Sequence, residues 1–447
     1  MDSQIRAATI AWVARAAILV AVALAAFFAL VPAAHAASGD LAWHHEITGP
    51  NNGSAAFTSA APAPAGGVFA AGWIFNATGD MLAVRYGPGG QRSWLRSRDF
   101  SLHAYDSVHA ATSDRKGDLI VVGEVDYPSA TQSEAIVKYG PGGGLKWVRS
   151  YKDTMAGQAT QVVTDSAGNV YVATGTAAEN IAVLKYSASG TRRWLRTYAG
   201  PADDQPRGIA VDGAGNVYVT GFSYGSVSHY DVLTIKYSPS GQRRWLRRYN
   251  DPGNGDDEGF GLAVTRAGAV YVAGLRTGAT SGADALVLKY GPGGTLAWTR
   301  SFTSAGANDD EFEAIALLAG GDVAATGYVA PGVSLDVLTV RLSPSGHIRW
   351  QHTFNGADDL ADQGLSVAGG PGGAVYVAGE SDGATTAADI LTLKYTRPGH
   401  RGWARRFTSA GAVDDLPGGL VVTPASVYVA GQEATSPNVA VLLKYRP

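Results

Sequence analysis

The sequence predicts an all-β fold, a β-propeller of eight four-stranded blades, and three observations carry that prediction. The first is an internal repeat with a period near 51 residues. Eight tryptophans, Trp43, Trp94, Trp147, Trp194, Trp245, Trp298, Trp350 and Trp403, stand 47 to 53 residues apart. The second is that two further marks keep that period and that count. One is a Val-Tyr-Val-x-Gly run ending at Gly72, Gly123, Gly175, Gly221, Gly274, Gly327, Gly379 and Gly431, degraded to Val-Phe-Ala-Ala-Gly in its first copy. The other is a Lys-Tyr or Arg-Tyr pair, from Arg85-Tyr86 to Lys444-Tyr445, with Arg341-Leu342 as a variant. The third is the absence of any long helical pattern after residue 40, while Gly, Asn, Ser and Pro punctuate every period.

The fourth period shows why each element is a strand. Four runs are expected, 207–212, 216–221, 231–237 and 243–249, each with alternating β-branched or aromatic residues. The first, around Gly208-Ile209-Ala210-Val211, uses small side chains, as a crowded central position requires. Asp212-Gly-Ala-Gly-Asn216 joins it to the second as a short hairpin, and Ser238-Pro-Ser-Gly241 joins the third to the fourth. The other two connections are longer. In an up-and-down blade they fall on one face, around the mouth of the central channel.

Closure follows from the phase of the repeat. Residues 41–45 read as a Trp-bearing fourth strand, whereas the chain ends just after a Lys-Tyr strand with no Trp strand behind it. The N-terminal strand is therefore expected to complete the last blade, which removes an open edge. Counting the marks gives eight blades. Seven blades plus a stray unit is the alternative, because the first copy is the most degraded.

Residues 1–36 have a different character. Arg6 and Arg15 precede an apolar run, Ala16 to Leu30, followed by Pro32 and Ala34-His35-Ala36. This describes a secretory signal peptide cleaved after Ala36; an uncleaved anchor is the rival, but the run is short of the roughly 20 residues a spanning helix needs. Residues 37–447 are then one propeller domain, expected outside the cell or in its envelope. The chain has no cysteine, which excludes disulfides, thiol catalysis, thiolate metal sites and a lipid-anchored N-terminal Cys. A formal net charge of −3 argues against a nucleic-acid partner.

The marks Gly-x-Val-Tyr-Val-x-Gly, Asp-x-x-x-x-Lys-Tyr and Ser-x-Ser-Gly-x-x-x-Trp, with the linker at Asn250 to Asp257, resemble the bacterial β-propeller repeat called SBBP. The resemblance spans nearly all of residues 39–447. It implies secreted or surface-exposed propellers, mostly without a known activity, and it implies seven blades where the count here is eight. It carries over no catalytic residue. Ser238 to Trp245 is also distantly similar to the tryptophan-docking repeat of pyrroloquinoline-quinone dehydrogenases, which are eight-bladed too; their calcium and catalytic aspartate cannot be placed here.

Candidate binding residues lie in the long connections. Asp203-Asp204, Asp256-Asp257-Glu258, Asp309-Asp310-Glu311, Asp358-Asp359 and Asp414-Asp415 precede first strands, and Asp80, Glu134, Asp231, Asp284, Asp336 and Asp389 precede third strands. Two readings compete. A carboxylate ring on one face would gather cations, calcium being the candidate metal, or basic and hydroxylated partners. Alternatively each Asp caps backbone N–H groups of its own loop or the next blade, as one copy per blade at a fixed phase suggests. None of the sites spells a calcium loop. The arginines beside Trp194 and Trp245 read as charged outer strands, and the repeated Trp and Tyr residues as packing between blades. Trp73 and Tyr224 lie off the repeat, in what reads as long-loop territory, and are candidates for ligand stacking. No histidine pair has zinc-helix spacing, no phosphate loop is present, and Gly221 to Gly225 (Gly-Phe-Ser-Tyr-Gly) lacks the strand-to-helix setting of a nucleophile elbow. The expected function is a non-catalytic, monomeric binding or scaffold module without a cofactor. Its ligand face is the long-loop face, and its partner is a protein or a cell-surface glycan. The alternative is a quinone-dependent dehydrogenase or another propeller enzyme.

Overall fold

The computed structural model describes residues 37–447 except 77, 101–104, 126–132, 153–160, 226–228, 279–281, 306–307, 333 and 412. The expected signal peptide, residues 1–36, lies outside the described residues. Those described form eight antiparallel four-stranded sheets, which settles the count at eight, and no helix among them is long and apolar enough to cross a membrane. The degraded first copy is a complete blade: Ala55–Pro62, Val68–Phe75, Gly79–Tyr86 and Arg92–Arg98. Blades are numbered 1 to 8 from here. The innermost strands of neighbouring blades pack against one another around the central channel, and the Trp-bearing strands lie outermost.

Blade 4 comprises Asp204–Val211, Val217–Gly225, His229–Tyr237 and Arg243–Tyr249. Its second strand runs four residues beyond Gly221, the point at which the glycine reads as a terminator. Gly221 serves another purpose. The innermost strand carries a β-bulge between Pro206 and Gly208, and there the carbonyl oxygen of Gln205 lies where a Cβ on Gly221 would sit. The same close approach recurs at Gly72, Gly123, Gly274, Gly327 and Gly379. The repeated glycine marks a bulge rather than a strand end. Tyr224 and Trp73 therefore lie on strands rather than in loops.

The tryptophans join the blades. Trp194 of blade 3 is 8% exposed, donates from Nε1 to the carbonyl oxygen of Pro239 in blade 4 (3.1 Å), and its ring lies against Gly241 of that same turn. Gly241 has φ +81°, so a side chain there would be both strained and in collision with the indole. Arg196, two residues after the tryptophan, donates from Nε to the Gly241 carbonyl (2.6 Å). Trp94 reaches Pro141, Trp147 reaches Ala188, Trp245 reaches Pro292, Trp298 reaches Pro344 and Trp350 reaches Arg397 in the same way. The arginines of the outer strands are thus partly consumed in inter-blade hydrogen bonds to backbone carbonyls, a role that the reading of them as charged edge strands did not include.

The ring closes through the N-terminal strand. Leu41–Ile47 pairs antiparallel with Val439–Tyr445, from Leu41 opposite Tyr445 to Ile47 opposite Ala440. Trp403 of blade 7 docks on this segment, donating to Ser38 Oγ (3.1 Å) and packing on Gly39, while Trp43 reaches forward to Pro88 of blade 1 (3.5 Å). One chain of equivalent tryptophan contacts therefore runs around the circle and across the junction of the termini, with a serine hydroxyl as acceptor for Trp403 and a longer bond at Trp43.

Candidate functional site

The acidic loop residues divide into two classes once their partners are known. Asp204, Asp257, Asp310 and Asp415 are buried at the start of innermost strands. Each accepts a backbone N–H from its own preceding loop: Gly200 to Asp204, Asp251 to Asp257, Ser304 to Asp310, and Ser409 to Asp415 at 2.6 Å. Asp310 also accepts from Ala330 N at 2.8 Å. Burial pushes the Asp257 carboxyl up to about 7 and raises those of Asp204 and Asp415. The first members of the pairs lie nearer the surface. Asp256, Asp309 and Asp414 reach back to the preceding blade, accepting from Tyr230 N (3.2 Å), Ala283 N (3.0 Å) and Ala388 N (3.2 Å), and Asp203 faces the Tyr230 hydroxyl (3.4 Å).

Blade 7 departs from this pattern. Its buried clamp is Asp362, which accepts from Gly356 N, whereas Asp359 sits three residues earlier on the exposed loop with φ +55° and Asp358 accepts from Ala384 N (3.2 Å). The carboxylates before third strands are also engaged: Asp231 with Arg248 Nε (2.7 Å), Asp284 with Arg276 (2.9 Å), and Asp389 with Arg406. Among the described residues no three His, Asp or Glu side chains converge in a group able to hold a metal.

Trp73 and Tyr224 are not brought together; they belong to blades 1 and 4. Tyr224 packs edge-on against Tyr230 across its own hairpin, 5.5 Å between ring centroids. Trp73 lies 5.8 Å from Tyr105 of blade 2, beside Phe75, which is 45% exposed.

Of the side chains that do converge, Glu258 and Glu311 belong to the acidic runs read from the sequence, whereas Arg207, Phe260 and Glu313 were not among its candidates. The innermost strands of blades 3 to 7 enclose a cavity of about 600 Å³ in the channel, lined by Gln161, Arg207, Glu258, Phe260, Glu311 and Glu313. The bulge between Phe312 and Ala314 breaks strict alternation, and both Glu311 and Glu313 reach this wall. Burial pushes the Glu311 carboxyl up to about 8, reinforced by the hydrogen bond its protonated form donates to Glu313 and by the charge of Glu313. Glu258 is raised by burial, with Arg207 opposing. The Arg207 guanidinium lies over the rings of Phe222 (5.4 Å) and Phe260 (5.9 Å). The Glu311 carboxyl held protonated by burial, the Glu313 oxygens beside it, a guanidinium and an aromatic face offer donors, acceptors and an apolar wall in one space. The signal available in the sequence was the variation at one position of the repeat: Arg207, Phe260 and Glu313 stand where blade 7 has Leu365 and blade 8 has Gly418.

Residues 195–226, the end of blade 3 and the first half of blade 4, match the SBBP β-propeller repeat. The chain is an eight-bladed β-propeller with a recognisable SBBP repeat at that position. Among solved structures the propeller is similar to Sqt1 from Chaetomium thermophilum, with a TM-score of 0.57 and 13% identity over 92% of this chain and 99% of that one. It is also similar to the polysaccharide lyase Uly1 (TM-score 0.47, 9% identity, 92% of this chain and 100% of that one). A third is a putative 6-phosphogluconolactonase from Bacteroides fragilis (TM-score 0.46, 12% identity, 76% and 92%). At these identities the likeness concerns the fold alone. No curated protein matches the chain.

Proposed function

We propose that this propeller is an exported, non-catalytic binding module that takes its partner at the long-loop mouth of the central channel. One observation carries the reading. The repeated carboxylates are engaged by loop N–H groups or by arginines of their own blade, whereas Arg207, Glu258, Glu311 and Glu313 line a single cavity. A cell-surface glycan suits that set best: its hydroxyls both donate and accept, and its ring faces suit Phe260. The acidic loops then form the rim through which the glycan enters, rather than its binding site.

The test is calorimetric titration of the purified protein with soluble cell-wall glycan fragments, repeated for E258Q, E313Q and, as a rim control, D358N. Loss of one charge-assisted hydrogen bond corresponds to about a tenfold rise in Kd or more, expected for the two channel variants and not for D358N. Unchanged affinity in both channel variants would sink the proposal. The Glu311–Glu313 pair also has the form of a general acid beside a base. Release of new reducing ends from the glycan, abolished by E311Q, would make the site an enzyme rather than a binding module.

A further inference from the structure

A second cavity, of about 510 Å³, opens on the opposite face between blades 6 and 7, lined by Asp322, Arg341, Arg349, Trp350 and Arg397. The polar side chains of the hairpin turns on that face are elsewhere taken up by the turns themselves and by backbone of the adjoining blade. In blade 4, Asp212 accepts the N–H groups of Ala214 and Asn216 (both 2.9 Å) and the Tyr218 hydroxyl (2.8 Å), and the Lys of the Lys-Tyr mark, Lys236, donates to the Pro292 carbonyl of blade 5 (3.1 Å).

Two blades replace this arrangement with ion pairs, and their charge balance differs. Blade 2 carries Asp114 and Asp118 against Lys138 and Lys146. All four are joined: Lys138 to Asp114 (2.7 Å) and Asp118 (3.3 Å), and Lys146 to Asp118 (2.6 Å). At the corresponding positions blade 6 has Leu318, Asp322, Arg341 and Arg349, so one carboxylate is lost and both cations are kept as arginine. Blade 7 adds a third guanidinium, because Arg397 stands where Pro239 and Pro292 stand in blades 4 and 5. Asp322 pairs with Arg341 at 2.9 Å and lies 3.7 Å from Arg349. Arg341 is buried at 2% exposure and fixed by the carbonyls of Gly373 (2.9 Å) and Arg397 (3.2 Å). One carboxylate thus faces two guanidiniums, Arg341 anchored and Arg349 exposed, and exposed Arg397 adds a third cation to the lining.

We infer that this cavity is an oxyanion site that takes a phosphate or sulfate group carried on a larger, ring-sized ligand. Guanidinium forks match the oxygens of such groups bidentately, and arginine stays charged at every physiological pH. A bare oxyanion fills only part of a cavity in the size range of small-molecule sites, roughly 300–1,000 Å³, which leaves room for the sugar or other ring that bears it. The site is independent of the channel and of the function proposed for it.

The experiment is titration of the purified protein with glucose 6-phosphate, glucose, inorganic phosphate and inorganic sulfate at matched ionic strength, followed by thermal shift and calorimetry. Saturable binding of glucose 6-phosphate, none of glucose, and weaker binding of the inorganic ions is expected; the two ions distinguish a phosphate from a sulfate preference. R349Q and R397Q, both at exposed positions, are expected to raise Kd about tenfold each. R244Q, the blade 4 counterpart of Arg349, should leave it unchanged, and D322N should tighten binding. No saturable oxyanion binding, or equal affinity in R349Q, R397Q and R244Q, would overturn the assignment.

Discussion

The rim and the channel wall of this propeller are built from the same repeat and obey it to different degrees. At the rim, blades 1 to 6 each send a tryptophan Nε1 to a backbone carbonyl in the next blade's turn, and Arg196, Arg247 and Arg300 repeat one hydrogen bond to the glycine beneath. Along the channel the equivalent positions hold Arg207, Phe260, Glu313, Leu365 and Gly418 in successive blades. Contacts that hold blades together must be repeated because every junction has the same geometry. Side chains facing the channel do not serve a junction of fixed geometry, and their residue type changes from blade to blade: Arg207 lies over Phe260 of the next blade, whereas Gly418 lies against the backbone of Phe57 and Thr58. Regularity therefore reports architecture, and departure from it reports where a ligand can be recognised.

Breaking the rim should have the largest effects. Removing residues 37–47 deletes the outer strand of blade 8 and the docking surface for Trp403. The truncated protein is expected to lose well over about 5 kcal/mol, beyond ordinary point-mutant effects, and to unfold in a broad, aggregation-prone transition by scanning calorimetry. If it melts with the intact protein, the closure described here is wrong. Trp245→Ala, at a site 8% exposed, should cost ~3–5 kcal/mol in chemical denaturation. Trp43→Ala should cost less, because Trp43 is half-buried and its bond to Pro88 is long at 3.5 Å. Equal losses would mean that the closing blade is docked as firmly as the others.

The acidic loops provide a finer contrast. Asp310→Ala leaves the buried N–H groups of Ser304 and Ala330 without their acceptor and should cost about 1.5–3 kcal/mol. Asp358→Ala, on the exposed rim, should stay within about 0.5 kcal/mol. Comparable losses would dissolve the distinction between clamp and rim carboxylates.

The smallest expected effect is on pH dependence. The Glu311 pKa is raised to about 8 in the folded protein, so the folded state holds a proton that the unfolded chain releases near pH 4.3. The stability this contributes is complete below the unfolded value and is lost as pH rises through about 8. Asp257, raised to about 7, acts in the same sense. The wild-type Tm should therefore fall between pH 5 and 8.5, and E311Q should fall less while keeping the Asp257 part. An identical slope in E311Q would place the shared proton elsewhere.

Much of the fold was legible because its determinants are local and repeated. The hairpin turn at Asp212 to Asn216, the Lys-Tyr strand and the phase of Trp43 all read directly from residue types and spacing. Strand ends were less legible: Gly221 looks like a terminator and is in fact the partner of a bulge, because the contact that demands glycine comes from Gln205 on another strand. The candidate site was the least legible part. Asp203 and Asp204 are adjacent in sequence and similar in kind, yet Asp204 is buried as a loop clamp and Asp203 is only partly covered.

By itself the sequence determined the all-β architecture, the eight blades and the closing role of residues 41–47, since these rest on periodicity and on satisfying strand edges, both properties of the chain taken in order. Only the tertiary structure decided which carboxylates are spent on backbone and which face open space. Glu258, Glu311 and Arg207 come from different blades, about fifty residues apart. Their meeting, the exclusion of water that raises two of their pKa values, and the unbalanced arginines between blades 6 and 7 arise only when the ring closes and curvature brings distant strands around one axis.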